Sequence, residues 1–203
     1  QTTDQILEEL DSLYASLTED LNEIEPINEA DGPGKVMQWM WWGPKAKKAQ
    51  GKVNKIKLNT VALEYAKDNA EDKATKAKLA QKLVQAKEQQ KSLQSMVDDK
   101  FSDKGAITKK YQASAKIKGQ LEVIKKTTGM TDDPNKSKEL KDQMKELGTK
   151  LKKEEEAIKE LEPSPEEKEA EKERKKKEKE EKAAAEKEAE RLRKEAEKEK
   201  NKG

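Results

Sequence analysis

Charged side chains make up 43% of this sequence and apolar ones 31%, whereas an ordinary soluble domain is about half apolar and a quarter charged. Fixing one residue's backbone costs roughly 1–2 kcal/mol, which buried apolar area must offset. A chain this poor in apolar surface cannot fill a broad core. Narrow seams between helices remain open to it, and its apolar residues are spaced for them.

The first stripe is Ile6, Leu10, Leu13, Leu17, Leu21 and Ile24, in steps of three and four. It predicts an amphipathic helix from about Asp4, read as its N-cap, to Glu25 before Pro26. Pro26, Gly32, Pro33 and Gly34 then mark a linker. Val36 to Trp42 follows, closed by Gly43-Pro44, and holds all three tryptophans. One long helix is expected from about Lys45 to Val97. Its seam would run through Ile56, Leu63, Ala66, Ala70, Ala74, Ala77, Ala80 and Val84, ending near Ser102-Asp103-Lys104-Gly105.

A further helix, Ile107 to about Thr127, presents Tyr111, Ser114, Ile117, Leu121 and Ile124. After a turn at Gly129–Pro134, another shows Leu140, Met144, Leu147, Leu151, Ile158 and Leu161 at heptad-like spacing. Glu162-Pro163 stops it. Ser164, Pro165 and Glu167 have the order of a capping box with proline at the first helical position, which starts a last helix. From Glu166 to Lys200 that segment has little apolar besides Leu192. Its Glu→Lys spacings of four (171–175, 173–177, 178–182, 190–194) favour a solvated single helix, with disorder as the alternative.

The fold class expected is all-α: an elongated helical bundle or hairpin with an amphipathic N-terminal helix and a charged single-helix or disordered extension. Residues 1–25 form the acidic docking helix, 26–44 a Pro/Gly linker with the tryptophan cluster, 45–162 the bundle, and 163–203 the extension.

The chain has no cysteine and no histidine. Thiol nucleophiles, disulfides, imidazole bases and the usual zinc ligands are therefore missing. Adjacent acids such as Asp98-Asp99 and Asp132-Asp133 are expected by chance in so charged a sequence, and the second pair reads as turn chemistry before Pro134. Gly32-Pro33-Gly34-Lys35 lacks the strand and ending of a phosphate loop. No enzyme, cofactor, metal or small-molecule substrate is expected. No apolar run reaches the roughly 18 residues of a membrane span, and Gln1-Thr2-Thr3-Asp4 does not read as a secretory signal. Gln1 in place of an initiator Met reads as processing or a fragment.

The net charge of +2 hides segregation: residues 1–34 carry −10, 35–60 carry +7, 61–128 carry +6 and 129–203 carry −1. Such blocks speak of partners. Ile6, Leu10, Leu13, Leu17 and Leu21 are candidate docking residues, for a partner or for the chain's own basic segment. Lys45, Lys47, Lys48, Lys52, Lys55 and Lys57 are candidate polyanion contacts. Only three arginines occur in the whole chain, so nucleic-acid binding there would be weak, unspecific and salt-sensitive. Trp39, Trp41 and Trp42 admit three readings: a plug at the bundle end (Trp39 with Trp42), a protein-binding hot spot, or contact with a membrane surface or unpaired bases.

Ile27-Asn28-Glu29-Ala30 resembles the cleavage sequence of the prohead proteases of large contractile-tailed phages, which cut after Glu in a Leu/Ile-x-Glu context before a small residue. Ile27, Glu29 and Ala30 are thus a candidate processing site, and Leu21-Asn22-Glu23 a poorer one because Ile24 follows. A helical, Lys/Glu-rich, cysteine-free composition is also similar to that of prohead core and internal head proteins of such phages. The resemblance implies a protein packed inside an assembling capsid, trimmed at Glu29 and left with the DNA. The final segment resembles the long helix of TolA-type proteins, which implies an extended spacer. The function expected is a non-catalytic structural or assembly scaffold, cytoplasmic or inside a capsid, engaging a protein partner or itself through helical seams. Weak nucleic-acid binding through 35–60 and membrane-surface anchoring by the tryptophans are the alternatives, with the membrane disfavoured as a partner.

Overall fold

A computed structural model describes residues 2–24 and 34–200, with side chains to residue 194. The fold is all-α, and no strand occurs among the described residues. The helices are α1 (Thr3–Asn22), α2 (Lys35–Met37), a π-helical turn (Gln38–Trp42), α3 (Gly43–Asp68), α4 (Lys73–Phe101), α5 (Ala106–Thr128), α6 (Pro134–Glu160) and α7 (Pro165–Lys200). Two compact units result, Gln1–Glu162 and Pro163–Gly203. No described helix is long and apolar enough to cross a membrane.

The N-cap of helix α1 is Thr2, not Asp4. The Thr2 hydroxyl accepts from the Gln5 N–H at 3.3 Å, and the Gln5 side chain accepts from the Thr2 N–H at 2.9 Å. Ile6, Leu10, Leu17, Leu21 and Ile24 are buried against α3 and α4, while Leu13 is partly buried. Lys52 clasps the helix from α3, donating to the Ser16 hydroxyl and the Asp20 carboxylate, each at 2.6 Å. From α1 to α4, the Tyr14 hydroxyl donates to the Ala86 carbonyl at 3.2 Å. Burial, aided by Asp11, pushes the Tyr14 pKa up to about 12. Helix α1 therefore runs antiparallel to α3 and parallel to α4.

The single helix expected over Lys45–Val97 is two. Asn69 ends α3, and Asp72 starts α4 by accepting from the Thr75 N–H at 2.7 Å. This short turn sends α4 back along α3, as Lys87 on Glu64 at 3.1 Å shows. Of the expected seam, Ile56 and Leu63 are fully buried, but Ala74 and Ala77 are exposed and Val84 is 56% exposed. The real face of α4 is Leu79, Leu83, Ala86, Leu93, Val97 and Phe101.

Helix α5 lies parallel to α3. Asn54 donates to the Ala115 carbonyl at 2.7 Å, and the absent side chain of Gly119 leaves room for the Asn54 amide. Helix α6 returns along α5, tied by Lys110–Glu154 at 3.1 Å and Lys118–Glu155 at 2.7 Å. Leu140, Met144, Leu147, Leu151 and Ile158 are all only half-buried, and no residue of α6 is fully buried.

In the second unit, the Ser164 hydroxyl accepts from the Glu167 N–H at 3.1 Å and the Glu167 carboxylate from the Ser164 N–H at 2.7 Å. Helix α7 follows, with exposed ion pairs along it such as Glu178–Lys182 at 3.0 Å and Glu190–Lys194 at 2.7 Å.

Candidate interaction site

Gly43-Pro44 does not close the tryptophan segment, and the segment is not linker. In a plain α-helix, Pro44 could not bond to the carbonyl of residue 40 and its ring would clash there. Here the preceding turn widens: the Gly43 N–H donates to the Gln38 carbonyl, five residues back. The chain stays helical from 35 to 68, through the π turn that carries the three indoles. Such single turns arise where a helix absorbs a local constraint.

Trp42 is half-buried and packs on the core. Lys45 Nζ lies 5.6 Å from its ring centroid and Lys104 Nζ 5.0 Å. Lys104, at 2% exposure, also pairs with Asp103 at 3.0 Å. A cation held on an indole contributes about 0.5–2 kcal/mol, the more so when desolvated. Trp39 is half-buried too. By contrast Trp41 is 49% and Met40 52% exposed, with Lys45 Nζ 4.6 Å over the Trp41 ring.

The turn is pinned to α5 at two points. The Gln38 side chain accepts from the Ile107 N–H at 3.0 Å, capping α5. It lies over Gly105, whose φ of +92° suits glycine and where a side chain would collide with Gln38. At Gly43 the Tyr111 ring fills the place a Cβ would take. The exposed pair Met40–Trp41 thus stands on a fixed base.

The expected docking stripe is not a free surface. Ile6, Leu10, Leu17 and Leu21 are covered by the chain's own α3 and α4, and Leu13 packs partly against the same core, so they are closed to an outside partner. In the poorer protease-like sequence, Leu21 is buried while Asn22 and Glu23 are exposed. Ile27, Glu29 and Ala30 lie outside the described residues.

Nor do the six lysines form one polyanion strip. Lys45 covers Trp41. Lys48 reaches Asp20 at 3.5 Å and Lys52 reaches it at 2.6 Å. Burial tends to raise the Asp20 pKa, but the hydrogen bonds and charges of Lys52 and Lys48 outweigh it and hold it below its ordinary value. Lys47 and Lys55 are exposed. Lys57 is half-buried, its pKa lowered by burial and by Lys116, with partial compensation from Asp98.

Sequence reasoning missed a polar seam joining α3, α4 and α5. Gln50 and Gln94 exchange two hydrogen bonds at 2.9 Å. Gln50 also donates to Asn54 at 3.2 Å. One Asp98 oxygen accepts from Gln94 at 3.0 Å, Gln112 at 2.6 Å and Lys116 at 2.8 Å. The spacings of four, Gln50–Asn54 and Gln94–Asp98, were the available signal. Buried amides satisfied in this way fix register, because a slip would strand several of them at once.

No known protein family, curated protein or solved structure matches the chain. Fold and site define a class only: an all-α unit with a polar-locked interior and one raised Met–Trp platform.

Proposed function

We propose that this chain is a non-catalytic structural assembly protein that meets a protein partner through Met40 and Trp41. The single observation that carries this is a half-exposed indole and thioether, side by side, on a π turn braced by Gln38, Gly43 and Gly105. Rigid aromatic anchors lose little entropy on binding and dominate protein interfaces. The concrete version is a prohead core or internal head protein, supported by the resemblance at Ile27–Ala30 and by the Lys/Glu-rich composition. A membrane surface is the second reading, favoured by the exposed Trp41 beside Lys45. The nucleic-acid reading has less support, since Lys45, Lys48 and Lys52 have intramolecular partners.

A photo-reactive diazirine side chain at position 40, irradiated in the producing cells or particles, tests this. A covalent protein adduct is expected. A lipid adduct would replace the assembly reading by the membrane one, and a nucleic-acid adduct by the third.

A further inference from the structure

Helices α1 and α6 both carry a sustained apolar stripe, yet four residues of α1 are fully buried and none of α6. Of the α6 stripe, Leu147 lines an open groove of about 400 Å3 between α5 and α6, reached also by Lys57 of α3. Its floor is Val123, Ile124 and Leu147. Its polar lining is Lys57, Gln120 of α5, and Gln143, Glu146 and Lys150 of α6. Lys57 makes no hydrogen bond or ion pair among the described residues; it feels the charge of Lys116, which opposes its own, and that of Asp98, which favours it. Glu146 is exposed and bonds Lys150 at 2.6 Å through one oxygen.

A groove that carries both cations and an anion can pair with a second copy of itself. A two-fold contact brings the same patch of both copies together, so residue i meets j and j meets i. Across such an axis, Glu146 of each copy meets Lys57 of the other, which forms no direct ion pair within its own chain among the described residues, while the apolar floors cover one another. We infer that the α5–α6 groove is the seat of a second copy of this chain, an isologous homodimer centred on Leu147 with Lys57 and Glu146 paired across it. The surface is separate from the tryptophan turn. The inference deepens the assembly reading, on which its biological meaning rests.

Sedimentation equilibrium of the full chain over a range of concentrations tests it. The parent is expected to pass from monomer to dimer as concentration rises. Glu146→Lys, at an exposed site that leaves the helices intact by circular dichroism, should weaken the dimer on the order of tenfold or more, because two contacts per dimer become like-charged. Lys57→Glu should do the same. The double exchange Lys57→Glu with Glu146→Lys should restore dimerisation, which general charge effects would not do. A parent that stays monomeric up to about 1 mM, the weak end of specific association, overturns the proposal. So does a dimer indifferent to all three variants, which would leave the assembly reading standing on another surface. Failure of the assembly reading itself registers independently, as the lipid or nucleic-acid adduct at position 40.

Discussion

Asn54 on α3 donates to the Ala115 carbonyl of α5 at 2.7 Å, and its amide occupies the space where Gly119 has no side chain. Two parallel helices are thereby brought into close contact through a polar group. Gly119→Ala should push the Asn54 amide out and break that bond. Overpacking of this kind costs typically about 1–3 kcal/mol, measurable as a lower urea midpoint with an unchanged slope. Gly148→Ala, where nothing lies within contact, should not destabilise.

Leu17 is fully buried between α1 and its neighbours, whereas Leu13 is only partly covered. Leu17→Ala should cost about 2–5 kcal/mol, the range for a buried leucine. Leu13→Ala should cost clearly less. Chemical denaturation of the two variants side by side checks the order.

The α1 stripe was legible because a three-and-four spacing has one physical meaning, a helix with a face to bury. Its occupant was not, since the periodicity of α1 says nothing about whether the covering surface is inside the chain. The break after Asp68 was misread for a different reason. Ala66, Ala70, Ala74 and Ala77 are strong helix formers, and their regular spacing outweighed the cap signals of Asn69 and Asp72. The tryptophan turn was placed in a linker because Gly43-Pro44 ordinarily ends a helix; only the widened turn lets it continue. The Gln50–Gln94–Asp98 seam stayed hidden because amides in a charged sequence look like solvated surface until a second helix faces them. Of the candidate site, the cluster itself was plain from sequence, but not that Trp41 is exposed while Trp39 and Trp42 are half-buried.

Asp20 is held below its ordinary pKa of 3.8 by Lys52 and Lys48 against the opposing effect of burial. A depressed folded pKa contributes stability at pH values above the unfolded one, lost as pH falls through the folded value. The parent should therefore be more stable than Asp20→Asn at neutral pH. That difference should shrink as pH drops below 3.8, and unfolding midpoints of both proteins across this range would show it.

Helix α7 carries exposed pairs such as Glu178–Lys182 and Glu190–Lys194. Salt screens such pairs, with a Debye length near 10 Å at 0.1 M and about 3 Å at 1 M. A peptide of residues 163–203 should lose helical ellipticity steadily over that interval. Constant ellipticity would mean that intrinsic propensity alone holds it.

Under the proposed function, Trp41 on its braced turn is kept for a protein partner and engages neither a membrane nor nucleic acid. Replacing Trp39 and Trp42 by Phe leaves Trp41 as the sole indole, and its emission can be followed in the folded chain. A partly water-exposed spectrum is expected in buffer, unchanged by anionic vesicles or single-stranded DNA. A sharp blue shift on adding vesicles, or salt-sensitive quenching by DNA, would contradict it.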